Sequence, residues 1–280
     1  GRSGSNRLLD AFDCHPRTFC RNEANSIAGT ALNALTPGFF PSDDPAVVEK
    51  WRAAVDQSFR ILSVRDRIGK REKTYVPSVL RRRFGREVLS RRTGRKALSL
   101  INPQLGALFW PATFCYADKA RLEAAYPILK LHLCSGMLLD VAPHEPAMRI
   151  VLNVRSAKSF IRSWRHRYVQ GKDPEFVFGQ NLHSLDRILE RFGRNDPAIR
   201  AYSDENLIKS ELWRWRYVNE TLYAGMRASP QFMAATYEQF DADPAATAAA
   251  LYAFAGFEMS DETAREVVAL QNSLFRDKVA

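Results

Sequence analysis

Met148-Arg149-Ile150-Val151-Leu152-Asn153-Val154 is followed by Arg155 and then by a helical pattern from Ser156 to about Tyr168. A short apolar run bounded in this way reads as a buried parallel strand feeding a helix. Working outward, Pro127 to Leu133 (PILKLHL) has the same character, Thr18 to Cys20 is a shorter strand candidate, and Phe232 to Tyr237 (FMAATY) is another. Helical patterns stand between them. Leu8, Leu9 and Phe12 share one face of a segment that His15-Pro16 stops, because proline disfavours helix for the residue before it. From Pro45, the residues Val48, Trp51, Val55, Phe59 and Leu62 recur at helical spacing. Ser203-Asp204 caps a long helix carrying Ile208, Leu212, Trp215 and Leu222, and Asp243-Pro244 opens another that Gly256 ends. Strands alternating with helices predict a three-layer α/β fold around a central parallel sheet. The pattern is read as a single domain over 1–280 with a helical insert over about 45–125.

The 280 residues are 46% hydrophobic and 26% charged, which excludes a disordered tail and leaves room for one or two domains. No apolar run approaches the ~20 residues that span a bilayer. The longest, Pro103 to Cys115, is broken by Pro103, Gly106 and Pro111. Cys14, Cys20, Cys115 and Cys134 lack CxxC spacing, which argues against a zinc ribbon or a disulfide scaffold and for a reduced, cytoplasmic setting. Heavy use of Arg and Ala fits a GC-rich bacterial source. The net charge is +10, but Arg60 to Lys96 holds fourteen Lys or Arg against three acids, so the rest of the chain nets −1. That segment, with Val76, Leu80, Phe84 and Val88 four apart among arginines, reads as a basic amphipathic helix facing an anion or water.

Gly1-Arg2-Ser3-Gly4-Ser5-Asn6 runs into the first helical pattern. Small residues let successive N–H groups converge on one point, the helix adds its positive end, and Arg2 adds a full charge, so the stretch reads as a phosphate cradle. It is not a Walker A sequence, since no GxxxxGK[ST] is present. A loop of this kind follows a buried strand, so a strand is expected upstream of Gly1. Arg155 at a strand end and Ser163 two helical turns on suit a second phosphate at the C-terminal edge of a parallel sheet.

These residues together resemble the family of sulfotransferases that use 3′-phosphoadenosine-5′-phosphosulfate (PAPS), in particular its tyrosylprotein and bacterial carbohydrate branches. Gly1-Arg2-Ser3-Gly4-Ser5 with His15-Pro16 and Glu23 looks like the family's 5′-phosphosulfate loop, and Val154-Arg155 with Ser163-Trp164 like its 3′-phosphate site. Tyr237-Glu238, Asp243-Pro244 and Ala255-Gly256-Phe257 resemble a later stretch of it, in the same order. The resemblance implies a P-loop-like fold and sulfuryl transfer to a hydroxyl, with 3′,5′-adenosine bisphosphate as product. Arg2 would stabilise the leaving phosphate. Ser3, Gly4, Ser5 and Asn6 would hold the phosphosulfate. Arg155 and Ser163 would clamp the 3′-phosphate, Lys130 would neutralise the sulfuryl oxygens, Tyr237 would lie against adenine, and Arg276 and Lys278 would close over the 3′-phosphate. Two departures stand out: Asn6 replaces the family's usual Thr, and Arg155-Ser156-Ala157 replaces Arg-Asp-Pro.

The acceptor hydroxyl needs a base within hydrogen-bond reach. The resemblance offers Glu23, where the tyrosylprotein branch has its glutamate, and His132, which matches the lysine-x-histidine of the small-molecule branch. Glu23 is favoured because the N-terminal motif fits its branch better. The chemistry requires no metal. The favoured acceptor is a carbohydrate, with Arg81 to Arg92 placed to meet an anionic glycan; nucleic acid is disfavoured, since no nucleic-acid motif accompanies the arginines. Two rival readings remain, an ATP-dependent kinase of similar fold and a basic anion- or nucleic-acid-binding module without catalysis.

Overall fold

The structure is a computed structural model and describes residues 5–21, 31–35, 38–42, 44–60, 124–132, 134–166 and 173–269. Among them the chain is mixed α/β and mostly helical, and its strands form two separate two-stranded parallel sheets. The expected single central sheet is not formed by these residues. The elements fall into two compact units.

One unit holds α1 (Ser5–Asp13), β1 (Thr18–Arg21), α2 (Ala31–Ala34), α3 (Val47–Arg60), β2 (Tyr126–Leu129) and the helix Pro244–Ala255. Helix α1 forms because Leu8, Leu9 and Phe12 recur on one face, and all three are buried. It ends at His15-Pro16, where the Thr18 hydroxyl donates to the carbonyls of Phe12 (2.6 Å) and His15 (2.9 Å) and ties the turn to the strand. Strands β1 and β2 pair from Thr18 with Tyr126 to Arg21 with Leu129. Around them Phe12, His15, Tyr126, Tyr252 and Phe257 make an aromatic cluster, with Tyr126 stacked on Phe257 at 4.3 Å. Tyr252 is almost fully buried, and its hydroxyl donates to the Ala11 carbonyl at 2.6 Å, which removes the cost of burying a phenol without a partner. The helix bearing Tyr252 starts as expected. The Asp243 carboxylate accepts from the Ala246 N–H at 2.9 Å, Pro244 follows, and Gly256 ends the helix at φ +76°, where a side chain would be strained. In α3 the buried positions are Val47, Trp51, Ala54 and Ser58, one face at the helical period.

The other unit holds α4 (Ser135–Val141), β3 (Ile150–Val154), α5 (Ala157–Trp164), α6 (Pro174–Arg191), α7 (Asp204–Met226), β4 (Phe232–Thr236) and α8 (Tyr237–Ala242). Strands β3 and β4 are parallel, and Ile150, Leu152 and Phe232 pack on Leu222 and Met226 of α7. Helices α6 and α7 bury Leu185, Leu189 and Ile199 in one cluster and Phe39, Ile188 and Tyr217 in another. Each such side chain contributes about 1.5–3 kcal/mol on burial. The Ser203 hydroxyl accepts from the Asn206 N–H at 3.1 Å, so the expected cap of α7 is present. Segment 38–42 lies against α4, with the Gly136 and Met137 N–H groups donating to Phe39 (3.2 Å) and Gly38 (3.1 Å).

Several expected boundaries shift, each for a visible reason. Strand β2 stops at Leu129 because its ladder with β1 stops at Arg21, so Lys130 and His132 follow the strand. Met148 is drawn into a turn, its N–H bonded to the Glu145 carbonyl and its carbonyl to the Gln231 amide, and β3 starts at Ile150. Tyr237 opens α8 and is not the last residue of β4.

Candidate functional site

The register of β3 and β4 builds the site. It pairs Ile150 with Phe232 and ends at Val154 with Thr236. One and two residues past the strand ends, Arg155 is set beside Tyr237 and Ser156 beside Glu238. Both pairs are in contact: the Arg155 guanidinium lies 4.4 Å from the Tyr237 ring centroid, and the Ser156 N–H donates to Glu238 Oε1 at 3.1 Å. Parallel strands make such coincidences at their C-terminal ends, because both chains leave the sheet on the same edge.

Helix α5 supplies the third contact. Arg155 Nε donates to Ser159 Oγ at 2.6 Å. Ser159 and Ser163 are four apart and share one face of the helix, with Ser163 half-buried one turn beyond. The guanidinium is therefore fixed by a hydroxyl and an aromatic face beside the first turn of α5, where backbone N–H groups lack intrahelical partners.

Glu238 carries the charge that balances this corner. Partial burial raises its carboxyl, but hydrogen bonds from the Ser156 and Glu238 N–H groups and from the Ser156 side chain, with the charge of Arg155, outweigh it, and the net shift is downward. It is a carboxylate at neutral pH.

In the other unit, the Lys130 N–H extends the β1–β2 ladder by one bond, to the Arg21 carbonyl at 2.8 Å. Lys130 is buried and His132 half-buried. Ser5 and Asn6 are in the first turn of α1. Arg2, Ser3, Gly4, Glu23, Arg276, Lys278 and the arginines from Arg81 to Arg92 lie outside the described residues.

Of the expected residues, Arg155 and Tyr237 thus meet, and Ser163 lies on α5, the helix that follows Arg155. Ser159, one turn before Ser163, accepts the bond from Arg155 Nε. The four-residue spacing from Arg155 to Ser159 was the available signal for it. Glu238 was not expected at the site, since its position follows from strand pairing. Among the described residues no helix is long and apolar enough to cross a membrane.

No protein-family model matches this chain, and no curated protein or solved structure matches it.

Proposed function

We propose that this chain is a PAPS-dependent sulfotransferase with a P-loop-like α/β fold, whose 3′-phosphate half-site is built on Arg155. The observation that supports this reading best is the corner formed by Arg155, Ser159 and Tyr237 at the C-terminal end of a parallel strand pair. A guanidinium presented beside a helix start, with hydroxyls on the adjoining helix face, suits a phosphate that ATP does not carry. Ser163 completes that hydroxyl face in the proposal.

In the proposed reaction the acceptor oxygen attacks sulfur in line. The new S–O bond forms as the bond from sulfur to the bridging phosphate oxygen breaks, and 3′,5′-adenosine bisphosphate leaves. Glu23 or His132 takes the acceptor proton, while Arg2 and Lys130 offset charge on the leaving phosphate and the sulfuryl oxygens. The acceptor in this reading is a carbohydrate hydroxyl, and the arginines from Arg81 to Arg92 meet its anionic groups.

Calorimetric titration with 3′,5′-adenosine bisphosphate, ADP and ATP tests the reading. The bisphosphate is expected to bind more tightly than either. Arg155→Ala removes a charged hydrogen-bond donor and is expected to weaken it roughly 10- to 150-fold. Equal affinity for ADP and the bisphosphate overturns the assignment. Heparin or RNA binding with steep salt dependence and no sulfuryl transfer would instead favour the basic binding module.

A further inference from the structure

Helix α5 presents a second face, about 100° around its axis from Ser159. Lys158, Arg162 and Arg165 stand there at spacings of four and three residues, all exposed. Among the described residues none of the three is held in an ion pair or a side-chain hydrogen bond. Beside them lies an open groove of about 600 Å³, with Ala157 and Ile161 of α5 and Ile208 and Leu212 of α7 as its apolar floor.

We propose that this groove docks an acidic amphipathic helix of a protein partner. The inference goes beyond the proposed transferase activity and does not depend on it. Three features choose the occupant. First, the cations form a row about 10 Å long, two helical turns, which one small carboxylate cannot answer but Asp or Glu residues three and four apart on a partner helix can. Second, among the described residues the floor is aliphatic and has no aromatic ring, so it lacks the stacking platform that single-stranded nucleic acid uses. Third, the apolar residues line a concavity, whereas a helix that inserts into a bilayer surface presents its apolar residues on a convex face. A helix laying Leu or Phe into the groove with carboxylates over the cationic row matches both shape and charge.

The test uses the whole chain and a fluorescein-labelled designed peptide of about 18 residues, with leucines on one face and glutamates flanking them. Fluorescence anisotropy is expected to show saturable binding that falls at least tenfold in the doubly substituted chain R162E/R165E. These side chains are exposed, and an unchanged far-UV circular dichroism spectrum verifies that the variant is folded. A peptide with lysines in place of the glutamates is expected to bind that variant better than it binds the parent. Lys158→Glu alone is expected to give a smaller loss in the same direction. Absence of binding, or equal binding by parent and R162E/R165E, overturns the proposal; the latter would assign the peptide to the basic segment 60–96. Equal binding by a peptide with serines in place of the leucines overturns it as well. So does tighter binding of heparin or of phosphatidylserine vesicles that depends on Arg162 and Arg165, which would reassign the face.

Discussion

Three glycines of one unit put two physical effects in opposition. In a helix interior, glycine to alanine gains about 1 kcal/mol from propensity alone. At Gly136, in the first turn of α4, the added Cβ would fall 1.9 Å from the Phe40 carbonyl carbon and 2.3 Å from the Pro41 nitrogen. Reaching ordinary contact requires the 38–42 segment to back away by about 1.5 Å. That displacement breaks the bonds from the Gly136 N–H (3.2 Å) and the Met137 N–H (3.1 Å), and it strains those from Ser135 Oγ to the Phe39 carbonyl and from the Ser42 N–H to Asp140. Each lost bond costs about 0.5–1.5 kcal/mol, and the α4 N–H groups have no intrahelical partner to fall back on. After the propensity gain, Gly136→Ala is expected to lose about 1–3 kcal/mol. At Gly179, in α6, the added Cβ meets nothing within 4 Å, so alanine is expected to gain about 0.5–1 kcal/mol. At Gly225 it meets the end of the Leu139 side chain at 2.5 Å, which can swing aside, and the two effects should nearly cancel. Urea unfolding followed by tryptophan fluorescence reads the series, since Trp164, Trp213 and Trp215 belong to this unit. A Gly136→Ala chain as stable as the parent would refute the close approach.

Two further expectations concern ionised groups. The Glu238 pKa is lowered from 4.5 in the folded chain, so its stabilisation is in place above that value and is lost as the pH falls through the folded pKa. An NMR titration of its carboxyl should give a midpoint below 4.5 that rises in Arg155→Ala, and a midpoint at or above 4.5 in the parent would contradict the assigned bonding. Buried Glu211 behaves oppositely. Burial raises its pKa against the pull of Arg214, 3.0 Å away, so its contribution is present at acid pH and is lost as the pH rises past the ordinary carboxylate range. Arg214→Ala should cost about 3–5 kcal/mol at neutral pH, and adding Glu211→Leu should recover much of it; equal instability of single and double variants would show the pair to be uncoupled.

Local signals were the legible part of the sequence. Ser203, Asp243-Pro244 and Gly256 cap the helices they were expected to cap, because capping involves only residues three or four apart. Helix α6 went unread although Asp173-Pro174 begins it and Val177, Phe178, Leu185 and Ile188 recur at its period. Helix α4 carried no such signal: it is short, and it is held by the distant 38–42 segment. Which strand neighbours which was likewise hidden. Arg155 could be picked out as a strand-end cation, but its meeting with Tyr237 depends on β3 choosing β4, and side-chain period alone does not name a partner.

The pairing of β3 with β4 also sets an order of events. The two strands are separated by nearly eighty residues, and closing a loop of that length costs about 4 kcal/mol in chain entropy before any contact across it is gained. Helices α5, α6 and α7 lie within the loop and can form and dock locally, while the strand pair must wait for them. The corner of Arg155 and Tyr237 therefore comes into being after those helices have formed. An anion held there would fasten both ends of the loop and, at a hundred times its dissociation constant, hold the finished unit shut by about 2.7 kcal/mol. A partly assembled chain would have nothing to offer it, so occupancy of the corner would distinguish finished copies from unfinished ones.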